Sequence, residues 1–165
     1  TLRSGETRVT QAELCSEIQF VRKNPGYAKF ALELELPDPF FYGTEKTADV
    51  RTASTSPFIW THTNDGSAPA TDLVITLEGP LSNPVLRNRN NDVWIQYVGT
   101  IPDGKSVILD TKHFTCLQGA DNMISIVKHG GDAYWMILDA GDNSLVLETE
   151  TTGGSVTLDY YSAFY

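Results

Sequence analysis

The sequence predicts an all-β protein whose antiparallel strands form a sandwich or a barrel. Short runs of residues alternate between apolar and polar, most clearly at 30–36 and 93–98. A period of two indicates a strand with one buried face. Gly, Pro, Asn and Asp turns separate these runs at fairly even spacing, which is typical of sandwiches and barrels. No amphipathic helix of ordinary length is evident in the sequence, so a parallel α/β sheet is disfavoured.

The first block of predicted strands ends in a cluster of aromatic residues. Residues 18–36 predict two strands on either side of an Asn-Pro-Gly turn, and the second has one apolar and one acidic face. Pro-Asp-Pro at 37–39 ends this run, because proline cannot donate a hydrogen bond to a ladder. Phe40, Phe41 and Tyr42 follow directly. Three adjacent aromatic residues cannot all point into one small core, so we expect them to contact another domain or subunit.

A polar stretch follows the aromatic residues. Residues 44–56 contain Lys, Glu, Thr, Ser and Ala and almost no large apolar residue. This composition favours a linker or an exposed connection. We therefore predict a boundary near Thr47, with one domain ending in residues 1–47 and a second one at 48–165.

The second predicted domain is centred on a strand-turn-strand unit. Residues 93–98 and 106–110 each alternate, and Ile-Pro-Asp-Gly-Lys at 101–105 is a turn signal. Residues 122–128 fit either a short strand or a single helical turn. Further strands are predicted at 58–60, 73–78, 114–117, 134–137, 145–147 and 156–160.

The charge of the chain excludes two classes of partner. Its formal net charge is -9 and its isoelectric point is about 4.6. Proteins that bind phosphates present a basic face, whereas here only Arg87 and Arg89 lie close together. We therefore expect neither nucleic acid nor an anionic membrane surface as a partner, and no apolar run has the length of a membrane span. The start has no apolar signal segment and no initiator Met, so we expect a processed product or a fragment.

The cysteine and histidine residues do not predict a metal or redox site. Cys15 and Cys116 can be read as one disulfide or as two buried thiols, and the thiols are favoured. His62, His113 and His129 do not stand at metal-ligand spacing, and we expect them on the surface or in turns.

The sequence also lacks the motifs of common hydrolases. No serine stands in a Gly-x-Ser-x-Gly elbow, and the paired glycines do not precede a helix that would hold a phosphate. Most aspartates stand beside Gly or Asn, where they cap turns, and a calcium site at residues 139–143 is the less favoured alternative. We therefore predict a protein that is not an enzyme and that has no cofactor and no metal.

Aromatic residues support one alternative function. Trp94, Tyr97, Tyr134 and Trp135 can form a stacking surface for a sugar, although such residues more often fill a core or an interface. The alternative is thus a carbohydrate-binding module that uses Trp94, Tyr134 and Trp135.

Several segments in a fixed order resemble the distal tail proteins of long-tailed (siphovirus-like) bacteriophages. The chain is similar to the entry of the family's C-terminal domain at 63–84, and to its glycine turn and Asp-Thr strand at 104–111. The chain also resembles the family in its closing strands, at 138–158. At 37–43 it is similar to the Asp-Pro-aromatic-Tyr-Gly segment with which the family's N-terminal domain ends.

This resemblance implies both a fold and a role. The C-terminal domain would be a galectin-like or carbohydrate-module-like jelly-roll sandwich, preceded by a β-hairpin from the N-terminal domain. The role would be structural, in a ring of subunits, commonly a hexamer, at the tail tip of the virion, after assembly in the host cytoplasm. The ring would join the tail tube to the baseplate, with tape-measure and tail-tip proteins as partners, and Phe40, Phe41 and Tyr42 would lie at subunit contacts. The rival function is contact with glycans of the host cell surface.

Overall fold

The computed structural model describes residues 7–131 and 135–165. In these ranges the chain forms two large antiparallel sheets that share one apolar core, together with three smaller pairs of strands. Among the described residues one 3-10 helix, Ile124–Ile126, accompanies the strands. The strands are β1 (Arg8–Val9), β2 (Glu13–Leu14), β3 (Gln19–Asn24), β4 (Tyr27–Ala31), β5 (Leu34–Glu35), β6 (Phe41–Thr52), β7 (Phe58–Asn64), β8 (Val74–Glu78), β9 (Leu81–Ser82), β10 (Val85–Asn88), β11 (Trp94–Tyr97), β12 (Thr100–Ile101), β13 (Ser106–Asp110), β14 (Thr115–Gln118), β15 (Asp121–Asn122), β16 (Val127–Gly130), β17 (Gly141–Glu148) and β18 (Ser155–Phe164).

The two large sheets form a β-sandwich, which confirms the predicted fold class. One sheet has seven strands in the order β1-β6-β18-β8-β13-β14-β15, and the other has five in the order β16-β11-β10-β17-β7. β9 pairs with β12 at the edge of the sandwich, whereas β2 pairs with β5 and β3 pairs with β4 in an N-terminal extension. All strand pairs are antiparallel.

The core lies between the sheets and follows from the alternation in the sequence. Buried and partly exposed residues alternate along β8, β11, β13 and β18. The seven-stranded sheet contributes Ile75, Leu109 and Leu158, and the five-stranded sheet contributes Leu86 and Leu147. Because each fully buried side chain of this size stabilises a fold by roughly 1.5–3 kcal/mol, this layer holds the two sheets together.

The linker or exposed connection predicted at 44–56 is wrong for residues 44–52. Residues 41–52 form the single strand β6, which pairs with β18 from Phe41 opposite Phe164 to Thr52 opposite Ser155. A strand near the edge of a sheet does not need an apolar sequence, because its backbone pairs with β18 while most of its side chains face solvent. The predicted boundary at 47/48 lies inside this strand, and the division into two domains stays a prediction.

The unit at 93–110 is not a hairpin. β11 belongs to the five-stranded sheet, whereas β13 belongs to the seven-stranded sheet. Between them the short strand β12 pairs with β9, so the chain crosses from one layer to the other. The turn at 101–105 was predicted from residues that set the local direction of the backbone, and these residues do not decide which strand becomes the partner.

Two further predictions meet mixed outcomes. Residues 121–130 contain a short strand, the 3-10 helix and another strand, so each of the two alternatives applies to a part of this segment. The strand predicted at 134–137 is wrong for its described residues 135–137, which are outside any ladder. Trp135 and Met136 are buried there without strand pairing, and Leu138 then forms an isolated bridge with Ala70. Tyr134 lies outside the described residues.

Candidate functional site

The N-terminal extension carries many exposed large apolar side chains. Residues 11–37, here called the arm, are all exposed. The hairpin of β3 and β4 places Phe20 directly opposite Phe30, and these side chains are 65% and 68% exposed. Other large apolar side chains of the arm are also exposed: Leu14, Ile18, Val21, Tyr27, Leu32, Leu34 and Leu36. Contiguous apolar surface of this kind marks a contact site.

The predicted subunit contact at Phe40, Phe41 and Tyr42 lies where the arm joins the sandwich. Phe40 is half-buried against the ring of Tyr165, with 5.4 Å between the ring centroids. Tyr42 is also half-buried, and its hydroxyl donates to Asp38 Oδ2 at 2.6 Å. Phe41 is 38% exposed. Part of this cluster thus packs within the chain, Phe41 is the most exposed of the three, and the subunit contact stays a prediction.

The structure does not provide the predicted sugar platform at Trp135. This side chain is 6% exposed and contacts the rings of Phe114 and His129. Trp94 is half-buried and lies opposite Gly130 on the neighbouring strand. Tyr134 is outside the described residues. A stacking residue must offer an open ring face to the sugar, so the burial of Trp135 removes it from such a role.

One histidine lies in a buried polar network, contrary to the prediction of surface or turn positions. His62 Nδ1 lies 2.9 Å from Asp49 Oδ2, and its Nε2 lies 2.8 Å from the hydroxyl of Tyr160. Trp60 Nε1 also donates to Asp49 Oδ2, at 3.0 Å. Arg51 approaches the other carboxylate oxygen from the solvent side. The network joins β6 and β18 of one sheet to β7 of the other.

The sequence contained a partial signal for this network. Trp60, His62 and Asn64 alternate with three exposed residues along β7, which is the pattern of a strand whose polar residues face inward. Asp49 was missed because it lies in the stretch predicted to be a linker. His113 and His129 are exposed, in agreement with the prediction.

The cysteines are free, and one of them is exposed. Cys116 is fully buried in the core, and burial raises the pKa of its thiol to about 11. Cys15 is exposed on the arm, so the prediction of a buried thiol is wrong there. The reason is that β2 and β5 do not pack against the sandwich core in a single subunit.

In the loop at 139–143, the alternative calcium site, the polar side chains form hydrogen bonds within the protein. Asp139 Oδ2 accepts from Asn91, Asp142 Oδ1 accepts from Thr63, and the amide of Asn143 donates to the backbone of residues 139 and 141. Within residues 7–131 and 135–165, no group of His, Cys, Asp and Glu is arranged to hold a metal ion. In the same residues, no helix is long and apolar enough to cross a membrane.

A groove of about 640 Å³ lies on the outer face of the seven-stranded sheet, next to β1. Tyr42 and Tyr161 line it together with two Lys–Asp pairs of opposite charge and a histidine whose ring nitrogen contacts a carboxylate. Lys46 Nζ lies 3.3 Å from Asp159, Lys112 Nζ lies 2.5 Å from Asp72, and His113 Nδ1 lies 2.8 Å from Asp110.

Hydrogen bonds in the groove shift the pKa values of Asp110 and Lys112. Burial alone would raise the pKa of Asp110, but hydrogen bonds from the side chain and backbone of His113 and from the backbone of Lys112 outweigh it and lower this pKa. The hydrogen bond to Asp72 raises the pKa of Lys112. Asp110 therefore stays negative and Lys112 stays positive at neutral pH.

Comparisons with known proteins give a structural neighbour but no sequence relative. No family model matches the chain, and no curated protein matches its sequence. The fold is similar to the crystal structure of the Dit protein (gp 19.1) of phage SPP1, with a TM-score of 0.68 and 15% sequence identity. Dit is described as a paradigm of the hub adsorption apparatus in phages that infect Gram-positive bacteria. The match covers 96% of this chain and 61% of Dit, so the chain spans about three fifths of that protein and shares its fold.

Proposed function

We propose that this protein is a non-enzymatic structural component of a bacteriophage tail tip. In this role copies of the chain form a ring, and the ring connects the tail tube to the baseplate or receptor-binding apparatus through protein-protein contacts. The observation that carries the proposal is the exposed apolar arm on a chain that has the fold of Dit. The order of segments that resemble distal tail proteins supports the same role.

The arm gains stability if it contacts a second subunit. A two-stranded hairpin alone is marginally stable in water, and among the described strands β3 and β4 pair only with each other. Packing Phe20 and Phe30 against another copy would remove their rings from water and stabilise the hairpin. A ring provides such a surface for every arm, because each subunit in a closed ring meets its neighbour in the same way.

The division of the chain into domains is part of this proposal. We propose that residues 1–47 are the end of a β-rich ring-forming domain and that residues 48–165 are the galectin-like sandwich. Support comes from burial: the arm is exposed throughout, whereas the sandwich carries the apolar core.

The experiment is to determine the mass of the full chain in solution by light scattering and to image it by negative-stain electron microscopy. We expect closed rings of several subunits at micromolar concentration. The double variant Phe20→Ser, Phe30→Ser removes the apolar contact of the hairpin and should shift the protein to monomers. Ile59→Ser with Val50→Ser is the matched control, since both are exposed apolar residues on strands of the sandwich.

Two outcomes would contradict the proposal. One is a monodisperse monomer for the unmodified chain over the whole concentration range, together with no density for the chain on purified virions. The other is that the arm variant and the control variant assemble equally well. We do not propose the glycan platform at Trp94, Tyr134 and Trp135, because Trp135 is buried.

A further inference from the structure

The groove on the outer face of the seven-stranded sheet is not explained by a structural role. Its volume of about 640 Å³ is within the range of roughly 300–1,000 Å³ that is typical of small-molecule sites. It is formed by β6, β18, β8 and the segment after β13, so the base of the groove is a hydrogen-bonded sheet. A base of this kind gives the side chains of the groove fixed positions.

Two tyrosines offer ring surfaces in the groove. Tyr161 is 47% exposed and stands directly opposite Lys46 in the register of β18 and β6. The hydroxyl of Tyr42 is held by Asp38, which restricts the orientation of its ring. Burial, together with the hydrogen bond to Asp38, raises the pKa of Tyr42, so its phenol stays neutral at physiological pH. Neutral aromatic faces of this kind stack on the apolar faces of sugar rings.

The polar groups of the groove select against charged ligands. Lys46 and Lys112 each face a carboxylate within the groove, so an anion would have to replace one of these carboxylates. A cation would compete with the same lysines for Asp72 and Asp159. A neutral polyol does neither, because one hydroxyl can accept from the ammonium while its neighbour donates to the carboxylate.

We propose that this groove binds a neutral oligosaccharide, with Tyr161 as a stacking residue and the Lys46–Asp159 pair as the hydroxyl-binding group. Neither Trp94 nor Trp135 lines this groove. It adds a ligand to the proposed tail-tip role and does not depend on the ring.

The test uses the full chain and three neutral tetrasaccharides, namely cellotetraose, maltotetraose and tetra-N-acetylchitotetraose. Tetragalacturonate and the chitosan tetramer serve as the anionic and cationic probes. Binding is measured by isothermal titration calorimetry and mapped by amide chemical shifts. We expect at least one neutral probe to bind with a Kd on the order of 1 mM or tighter, and to bind more tightly than either charged probe.

Variants of the two binding groups make the test specific. Tyr161→Ala should weaken binding of the neutral probe by about threefold to tenfold, whereas Tyr161→Phe should retain it, because the ring face is kept. Lys46→Met should weaken binding, and Lys105→Met, an exposed lysine away from the groove, should not. Should Tyr161→Ala fail to fold, the shift map of the unmodified chain decides, since the shifts should cluster at residues 42–46 and 159–161.

The proposal is overturned by absence of binding of all three neutral probes at about 10 mM. It is also overturned by preference for a charged probe, by shifts that lie outside the groove, or by unchanged binding in both Tyr161→Ala and Lys46→Met. The mass of the assembly is a separate measurement, so loss of sugar binding leaves the ring proposal intact, and loss of the ring leaves the groove to be tested.

Discussion

Asp49 is a buried carboxylate held by hydrogen bonds between the two sheets. Its carboxylate accepts hydrogen bonds from Trp60 and His62 between the two sheets, and Arg51 contacts it from outside. The acceptor and its two buried donors come from different sheets, because β6 carries Asp49 and β7 carries the donors. Polar groups buried in this way are stable only when they are paired, so the network specifies how β6 and β7 face each other.

Removal of the Asp49 carboxylate should therefore destabilise the fold more than removal of a surface carboxylate. We expect Asp49→Ala to lower the free energy of unfolding by about 2–4 kcal/mol, because the donors of Trp60 and His62 lose their partner. Asp49→Asn keeps one acceptor and should cost less. Urea unfolding followed by tryptophan fluorescence measures both changes. Asp103→Ala, in an exposed turn, is the control and should stay within about 0.5 kcal/mol. Equal losses at Asp49 and Asp103 would contradict a structural network.

Tyr160 should make the protein less stable in alkali. Burial, with the charges of Asp65 and Asp49 adding to it, raises the pKa of Tyr160 from 10.0 to about 12. The folded state then keeps a proton that the unfolded chain releases above pH 10, so the stabilisation is complete below pH 10 and is lost as pH rises towards 12. Urea midpoints measured from pH 8 upward should fall in this window.

The control for the pH effect is Tyr160→Phe, which removes the titrating hydroxyl. This variant should be less stable at neutral pH, because His62 loses its hydrogen-bond partner. Its stability should nevertheless fall less steeply above pH 10. Some alkaline loss should remain, since burial also raises the pKa values of Tyr42 and Cys116. A slope identical to that of the unmodified chain would exclude Tyr160 as a cause.

β6 is the element that joins the arm to the sandwich. Its first half, residues 41–47, lies in the predicted N-terminal domain, but this half pairs with the end of β18. Phe41 faces Phe164, Tyr42 faces Ala163, and Thr47 faces Tyr160. This pairing continues the seven-stranded sheet across the predicted boundary, so residues 41–47 extend a sheet of the sandwich.

Two truncations should separate the sandwich from the arm. A chain of residues 37–165 keeps all of β6 and should unfold at a urea concentration close to that of the full chain. A chain of residues 48–165 loses the register pairs of Phe41, Tyr42, Lys46 and Thr47 with β18, and each such pair contributes roughly 0.2–1 kcal/mol. We expect it to be less stable by about 1–4 kcal/mol. Equal stability of the two chains would show that the pairing of residues 41–47 with β18 does not stabilise the sandwich.

Strands with alternating apolar and polar residues could be predicted from the sequence. The strands with which they pair could not. The alternation at 73–78, 106–110 and 156–160 predicted β8, β13 and β18, because a one-sided core requires a period of two. β6 was missed because its side chains are mostly polar and its order comes from backbone pairing with β18. β11 and β13 belong to different sheets, and this arrangement depends on contacts between residues that lie far apart in the sequence.

Among the residues of the proposed sites, some could be predicted from the sequence and others could not. The aromatic cluster at Phe40, Phe41 and Tyr42 was recognisable from composition, and the structure places it at the base of the arm. Burial of Trp135 was not predictable, because an isolated tryptophan fits a core as well as a binding surface. The groove brings together β6, β8 and β18 with the segment after β13, so no local pattern in the sequence indicates it.

For the whole molecule, apolar attraction and charge repulsion have opposite effects on assembly. In the proposed ring the exposed apolar side chains of the arm contact a second copy, whereas each copy carries a formal net charge of -9. Like charges on neighbouring subunits repel one another, and salt screens this repulsion, since the screening length falls from about 14 Å at 0.05 M to about 4 Å at 0.5 M. Apolar contact is not screened in this way.

Salt should therefore favour the assembled form. In a dilution series followed by light scattering, the concentration at which the rings dissociate should be lower at about 0.5 M NaCl than at about 0.05 M. The variant Phe20→Ser, Phe30→Ser should remain largely monomeric at both concentrations, because salt removes repulsion but does not replace the lost apolar contact. Dissociation by salt would show instead that ion pairs between subunits hold the ring, and it would remove the arm from its proposed place as the main contact.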